Sequence, residues 1–183
     1  MFQKINLNLG PIDMTHIKGP PAEKYGPEDI KLTHHTILDI NYFISIHAGK
    51  VKFSIMPDVV WYTEIDGTGM VPPHIDPLDT VALNYYIQTG ECTTTFYKPL
   101  ASAKYATTQQ EFDVHDQART VKAVMNLSEL TELGKFTAGA GDAYFMRPDI
   151  LHSVSAPTQT RKFLSYRWTG ATYEQVLAAT VVL

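Results

Sequence analysis

The stretch Thr80–Lys98, TVALNYYIQTGECTTTFYK, contains two runs of β-forming residues separated by a turn. Val, Ile, Thr, Tyr and Phe dominate both runs, and these residue types favour strands. The intervening Thr89-Gly90-Glu91 interrupts the pattern with a glycine, as turns do. We therefore predict two neighbouring strands, with a turn at Gly90.

Short runs of the same kind occur along most of the chain. The further predicted strands are Ile5–Leu9, Val51–Ile55, Val59–Ile65, Thr120–Met125, Ala143–Met146, His152–Ser155 and Lys162–Trp168. Many short strands separated by turn residues are typical of a sandwich, jelly roll or barrel. We therefore predict a mainly β fold.

Helix signals are few and point to short peripheral helices. Ser128 is a candidate N-cap for a helix that ends before Gly134. Thr172 and Gln175 have the spacing of a capping box, which predicts a C-terminal helix at about 172–182. The long polar insertion Pro99–Ala118 is of a length that lids and substrate loops often have.

Composition and charge exclude several classes of protein. The 183 residues, 44 % hydrophobic and 19 % charged, predict a single folded domain rather than a disordered chain. A net charge of −4 without a basic run argues against nucleic acid and anionic membranes as partners. Cys92 is the only cysteine, which excludes an internal disulfide and a cysteine-based zinc site. With no signal-peptide core and no long apolar run, the simplest expectation is a cytoplasmic protein.

A candidate metal-binding pair precedes the strand at Thr80. In extended chain, residues two apart face the same side, so His74 and Asp76 would point together. A further ligand from a distant strand, such as His152, would give two histidines and one carboxylate on one face of an ion. That arrangement is typical of non-haem Fe(II) oxygenases. An arginine such as Arg161 would suit the far carboxylate of a chelating keto acid.

From about Phe53 to Trp168 the sequence resembles the double-stranded β-helix core of Fe(II)/2-oxoglutarate-dependent dioxygenases, in the style of the prolyl 4-hydroxylase branch. The resemblance depends on the ordered set Trp61-Tyr62, Gly67-Thr68-Gly69, His74-Ile75-Asp76, Leu83–Ile87, Gly141-Asp142, His152-Ser153-Val154 and Arg161. It implies a jelly-roll (cupin-like) oxygenase domain. Residues 1–52 lie outside the resemblance; we expect a covering extension, with a lining of the substrate mouth as the open alternative.

The resemblance also implies roles for individual residues. His74, Asp76 and His152 would bind Fe(II), and Arg161 would pair with the C5 carboxylate of 2-oxoglutarate. Tyr62 and Tyr86 match positions near the cosubstrate. Alternation along the last strand places Ser165 and Arg167 on the same face as Arg161, where Ser165 would reach the cosubstrate and Arg167 either the cosubstrate or the substrate.

The implied reaction is hydroxylation of an unactivated carbon in a prolyl or peptide substrate or in a small amino-acid-like molecule, with succinate and CO2 as coproducts. Fe(II), 2-oxoglutarate and O2 are the expected cofactor and cosubstrates, and ascorbate is a further candidate. The absence of a Gly-Gly pair at Thr89-Gly90-Glu91 and the insertion Pro99–Ala118 depart from the family pattern and leave the substrate open. The oligomeric state is also open, with a homodimer as one candidate.

Two alternatives to this interpretation stay open. One is a noncatalytic β-helix protein that binds a ligand in the same pocket. The other is a cupin-like metalloenzyme that does not use 2-oxoglutarate, although that class usually has more histidine ligands. The neighbouring pair His34-His35 is not expected to share an ion, because adjacent strand residues face opposite sides.

Overall fold

Two antiparallel sheets form most of the protein in a computed structural model, which describes residues 1–25, 30–76, 80–112, 118–124 and 126–183. The strands are β1 Phe2–Ile5, β2 Lys18–Tyr25, β3 Ile30–Ile37, β4 Val51–Phe53, β5 Val59–Gly67, β6 Val71–Ile75, β7 Val81–Gln88, β8 Thr93–Pro99, β9 Ala106–Phe112, β10 Ala118–Ala123, β11 Leu130–Thr137, β12 Ala143–Met146, β13 His152–Val154, β14 Arg161–Trp168 and β15 Thr180–Val182. The helices are α1 Met14–Ile17, α2 Ile40–His47, α3 Tyr173–Ala178 and a 3-10 turn at Leu127–Glu129. No helix among the described residues has the length and apolar character that crossing a membrane requires.

The strand order identifies a jelly roll. The seven-stranded sheet runs β1-β12-β7-β14-β5-β3-β2, and the six-stranded sheet runs β11-β8-β13-β6-β10-β9. From β5 to β8, and again from β11 to β14, each strand lies in the opposite sheet from the one before it. These eight strands form a double-stranded β-helix, which confirms the predicted mainly β, jelly-roll fold with a few short helices.

Side-chain alternation divides the apolar residues into two cores. Ala82 and Tyr86 of β7 face the inside of the sandwich, together with Phe96 of β8. Leu83 and Tyr85, the alternate residues of β7, belong to a second core on the outer face of the seven-stranded sheet. Both faces of this sheet are therefore buried, although its strands are antiparallel.

The N-terminal residues cover the outer face of the seven-stranded sheet. Leu7 and Ile17 have no exposed surface, and they pack in the same core as Ile46 of α2 and Val176 of α3. Burial of such a side chain contributes about 1.5–3 kcal/mol. The first 50 residues thus supply the second layer that this sheet needs, while β3 adds a strand to its edge.

Both sheets are extended at the same side of the jelly roll. In the seven-stranded sheet, β3 and β2 continue beyond β5, and in the six-stranded sheet, β10 and β9 continue beyond β6. The predicted insertion Pro99–Ala118 contributes β9 and the first residue of β10, and residues 113–117 lie outside the described part. The insertion therefore contributes mainly β9, which pairs with β10, and β10 in turn pairs with β6 through Lys122 and Ala123.

Two predicted helices differ from the structure. The helix expected at Ser128 is only a single 3-10 turn, because Leu130–Thr137 pairs with β8 along its whole length. The capping box at Thr172 and Gln175 is present, but α3 ends at Ala178 rather than near 182. Thr180–Val182 is β-branched throughout and pairs with β4 instead.

The turn at Gly90 packs against residues 157–159, the segment that leads into β14 at Arg161. Gly90 has φ +59°, and an added Cβ would lie 2.5 Å from the carbonyl oxygen of Gln159. Thr158 donates its backbone N–H to the Gly90 carbonyl at 2.9 Å. Glycine is required here for two reasons. A second chain segment lies too close for a Cβ atom, and residues with side chains rarely adopt this positive φ.

We predict that Gly90→Ala lowers the free energy of unfolding by roughly 1–3 kcal/mol, since it adds both a clash and backbone strain. Gly170→Ala is the matched control, because its Cβ would meet nothing within 4 Å. Urea or thermal unfolding of both variants measures the difference. Equal stability of the two variants would contradict the assigned role of the turn.

Candidate metal centre

The candidate metal ligands meet because β6 and β13 are neighbours in the six-stranded sheet. His152 and His74 are direct register partners, and their ring centroids are 4.4 Å apart. Asp76 follows β6, and its backbone N–H donates to the Pro148 carbonyl at 3.0 Å. One ligand atom from each of His74, Asp76 and His152 lies within 4.8 Å of the other two.

Hydrogen bonds to the backbone set the tautomer of both imidazoles. Nδ1 of His74 donates to the Pro72 carbonyl, and Nδ1 of His152 donates to the Ile150 carbonyl, each at 2.9 Å. The lone pair of each neutral ring is then on Nε2. An imidazole held by its other nitrogen is the usual form of a histidine metal ligand, so the two side chains are pre-oriented for coordination.

The electrostatics of the site favour the metal-binding protonation states. Burial, followed by the nearby His74, lowers the pKa of His152 to about 4. Burial of Asp76 opposes its ionisation, but a hydrogen bond from Nε2 of His74 in its protonated form, together with the charges of His74, Arg167 and His152, outweighs burial and holds the pKa of that carboxyl well below its usual range. A cation would therefore displace no proton from His152 or Asp76 at neutral pH.

The donor set fits a divalent transition metal. Two imidazole nitrogens and one carboxylate oxygen on one side of an ion leave the opposite coordination positions for other ligands. His74 Nε2 and Asp76 Oδ1 are 3.3 Å apart, close enough to share one ion. His74, Asp76 and His152 would therefore hold a metal, as the sequence predicts.

A chain of buried hydrogen bonds holds the free oxygen of the carboxylate. Arg167 Nη1 donates to Asp76 Oδ2 at 3.0 Å, and Arg167 Nε donates to the Ser165 hydroxyl at 2.8 Å. Ser165 in turn donates to Asn84 Oδ1 at 2.8 Å, and the Asn84 amide contacts the Met146 sulfur. Arg167 thus holds the carboxylate of the candidate ligand Asp76 in position, and Ser165 holds Arg167.

A second buried arginine lies on the same face of β14. Arg161 is 3 % exposed, and its Nη2 donates to the Tyr86 hydroxyl at 2.9 Å and to the Thr94 hydroxyl at 3.4 Å. Its guanidinium carbon lies 4.8 Å from the centre of the Tyr86 ring and 5.2 Å from that of Phe163. No carboxylate of the described residues forms an ion pair with Arg161.

The structure separates Tyr62 from the other predicted cosubstrate residues. Tyr62 pairs with Leu164 in the register, so it lies on the outer face, and its hydroxyl donates to Glu64 at 2.9 Å. Arg161, Tyr86, Ser165 and Arg167 all face the interior. The expectation that Tyr62 lies near the cosubstrate is therefore corrected, because β-strand alternation turns it away.

The sequence analysis assigned no role in the site to His34 or Trp61. His34 and His35 do face opposite sides of β3, as expected. However, β3 pairs with β5, so His34 enters the interior, where its ring centroid is 4.7 Å from that of Trp61. Only the pairing of β3 with β5 shows that His34 faces the interior, and β3 was not among the predicted strands.

Comparisons with known proteins assign no family to this chain. No family model and no curated protein matches the sequence. Solved structures that are similar include oxalate decarboxylase of Bacillus subtilis (a SENS161-164DSSN mutant; 16 % identity, TM-score 0.36, 88 % of this chain and 30 % of that one). Another is vicilin of hazelnut, Corylus avellana (11 % identity, TM-score 0.40, 87 % of this chain and 33 % of that one). The chain thus spans about a third of the length of these structures. Their TM-scores are too low to support the fold, which rests on the strand order alone.

We predict that Arg167→Ala weakens divalent metal binding by about 10–100-fold, as is typical when the partner of a ligand is removed. Ser165→Ala should have a smaller effect, because Arg167 retains its bond to Asp76. Lys162→Ala on the same strand is the matched control, since Lys162 faces the other side. Anaerobic titration with Fe(II) or Mn(II) measures the affinities, and unchanged affinity in Arg167→Ala would refute the positioning role.

Proposed function

We propose that this protein is a jelly-roll metalloenzyme that uses Fe(II), 2-oxoglutarate and O2 to hydroxylate an unactivated carbon. The observation that carries the proposal is Arg161, a buried cation whose partners are two hydroxyl groups rather than a carboxylate of the described chain. A buried charge of this kind is costly unless a counter-ion joins it. A carboxylate of a bound ligand would be that counter-ion.

The charge of the interior favours a dianionic cosubstrate. Arg161 faces the interior, as Arg167 does, and no acid of the described residues forms an ion pair with Arg161. A divalent metal would add further positive charge to that of Arg161. A cosubstrate with two carboxylates, one at the metal and one at Arg161, would offset it.

In this proposal, three residues bind the metal and one arginine binds the cosubstrate. His74, Asp76 and His152 hold the metal and leave positions for a chelating keto acid and for O2. Arg161 binds the distal carboxylate, with the hydroxyls of Tyr86 and Thr94 beside it. When bound, the iron and the keto acid supply the activation of O2 that attack on a C–H bond requires.

The metal centre by itself also suits a second candidate function, a jelly-roll metalloenzyme that does not use a keto acid. Its three ligands would hold a divalent ion in either enzyme. Arg161 favours the first candidate, because the second carboxylate of 2-oxoglutarate would give this buried cation a counter-ion. A noncatalytic binding protein is the third outcome, and it would retain the pocket without turnover.

The proposal is tested by adding Fe(II) and then 2-oxoglutarate to the metal-free protein without oxygen. We expect the visible charge-transfer band of an iron–keto acid chelate in the wild type and its loss in His74→Ala. Binding of iron without the band would favour the enzyme that uses no keto acid. If folded protein bound no iron, the iron-dependent function would be excluded and the noncatalytic binding protein would be favoured.

We further predict that Arg161→Ala raises the 2-oxoglutarate concentration needed for half-maximal formation of the band by about tenfold or more, since a charged hydrogen-bond partner is worth roughly 1.5–3 kcal/mol. Iron affinity should stay within about twofold, because Arg161 contacts no metal ligand. Lys162→Ala is the control on the same strand. An unchanged requirement for 2-oxoglutarate in Arg161→Ala would remove Arg161 as the anchor.

A further inference from the structure

The interior face of the jelly roll continues beyond the metal centre. β3 extends the seven-stranded sheet at the edge of β5, and β10 extends the six-stranded sheet at the edge of β6, the strand that carries His74. Since β5 and β6 lie at corresponding positions in the two sheets, the extensions lie on the same side. The metal ligands therefore stand between the closed interior and the space bordered by these added strands.

Trp61 and His34 occupy the inner face at this border. Trp61 is the register partner of Ser165, which bonds to Arg167, and Arg167 bonds to the metal ligand Asp76. His34 packs against the Trp61 ring with an interplanar angle of 31°, and its Nδ1 lies 2.9 Å from the Thr63 hydroxyl. The indole is thus held by a neighbouring strand beside the metal centre.

Both rings point inward and yet stay partly accessible. Tyr86, Phe96 and Phe163, on the inner faces of their strands, are buried, whereas Trp61 and His34 are only half-buried. Inward residues that remain accessible mark an opening between the sheets. A substrate that approaches the metal through this opening would meet the Trp61 ring first.

The charges around these rings select against a cation. Burial, followed by the nearby charge of Arg167, lowers the pKa of His34 to about 3, so this imidazole adds no charge at neutral pH. At His34 the charge of Arg167 acts more strongly than that of Asp76, so a cation beside the two rings is disfavoured even when a cosubstrate balances the charge of the metal. A carboxylate on the substrate would be drawn to the metal rather than to the indole.

We propose that Trp61 and His34 form the substrate subsite, which binds an uncharged ring of the substrate against the indole face. This inference rests on the proposed function, because it assigns the rings to the substrate of that metal site. Ring stacking on tryptophan tolerates different rings, while the nearby charge of Arg167 disfavours cationic ones. The target carbon would then belong to the ring or to a group beside it.

Benzamide and benzamidine are suitable probes, because they have the same ring and nearly the same shape but differ by one positive charge. Mn(II)-loaded protein with 2-oxoglutarate is used, since bound Mn(II) accelerates the proton relaxation of nearby ligands. We expect benzamide protons to relax faster in the wild type, and benzamidine to bind at least about tenfold more weakly. Electron paramagnetic resonance reports separately whether Mn(II) is bound.

Variants identify the subsite. Trp61→Ala should weaken benzamide binding by about tenfold, the loss expected for one stacking platform. His34→Ala should weaken it as well, and His34→Phe, which restores a ring against Trp61, should recover it. Tyr97→Ala is the matched control, because it deletes a half-buried aromatic ring on the outer face of β8, where the Tyr97 hydroxyl meets Ser153. Metal binding should be the same in all four variants.

The outcomes separate this inference from the proposed function. If Mn(II) binds but benzamide shows no relaxation enhancement, or if Trp61→Ala and Tyr97→Ala behave alike, the subsite is refuted while the metal site stands. If Mn(II) does not bind, the metal site fails, and saturation-transfer NMR of metal-free protein decides the subsite. In that case binding of benzamide that depends on Trp61 supports the ring-binding role, and its absence overturns it.

Discussion

The backbone pairing of His152 with His74 is the constraint on which the site depends. These residues are 78 positions apart, and they meet only because the jelly roll places β13 beside β6. A slip of one residue in this pairing would turn one imidazole to the outer surface. The register is supported on the other side of β13, where His152 faces the buried Phe96 of β8. The sheet therefore fixes the relative position of the two candidate histidine ligands.

The second structural requirement is a rigid seven-stranded sheet, and the N-terminal residues provide it. β14 presents Arg161, Ser165 and Arg167 to the interior, while its alternate residues Tyr166 and Trp168 are buried on the outer face under the N-terminal cover. Buried polar groups are well positioned when every neighbour is fixed by packing. Covering the outer face thus supports the hydrogen-bond chain that ends at Asp76, far from the residues that form the cover.

Local patterns explain which features were predictable from the sequence. The triad of His74, Asp76 and His152 and the common face of Arg161, Ser165 and Arg167 follow from an ordered motif and from the period of two in a strand. The position of Tyr62 was predicted wrongly, because its face depends on pairing with Leu164 and not on its distance from the motif. In the same way, partner strands decide that Leu130–Thr137 and Thr180–Val182 are strands. Long-range pairing of this kind is absent from a single sequence.

The two interior arginines differ in how their charges are compensated. Arg167 has its carboxylate within the protein, in Asp76, so its charge is compensated when the fold forms. Arg161 is buried with only the hydroxyls of Tyr86 and Thr94 and two aromatic rings around it. Hydroxyls and ring faces stabilise a guanidinium less than a carboxylate does, so the folded protein carries an electrostatic cost at Arg161 that an anionic ligand would remove. Because a ligand that binds only the folded state stabilises it, an anion bound at Arg161 would stabilise β14 and hence the position of Arg167 against Asp76.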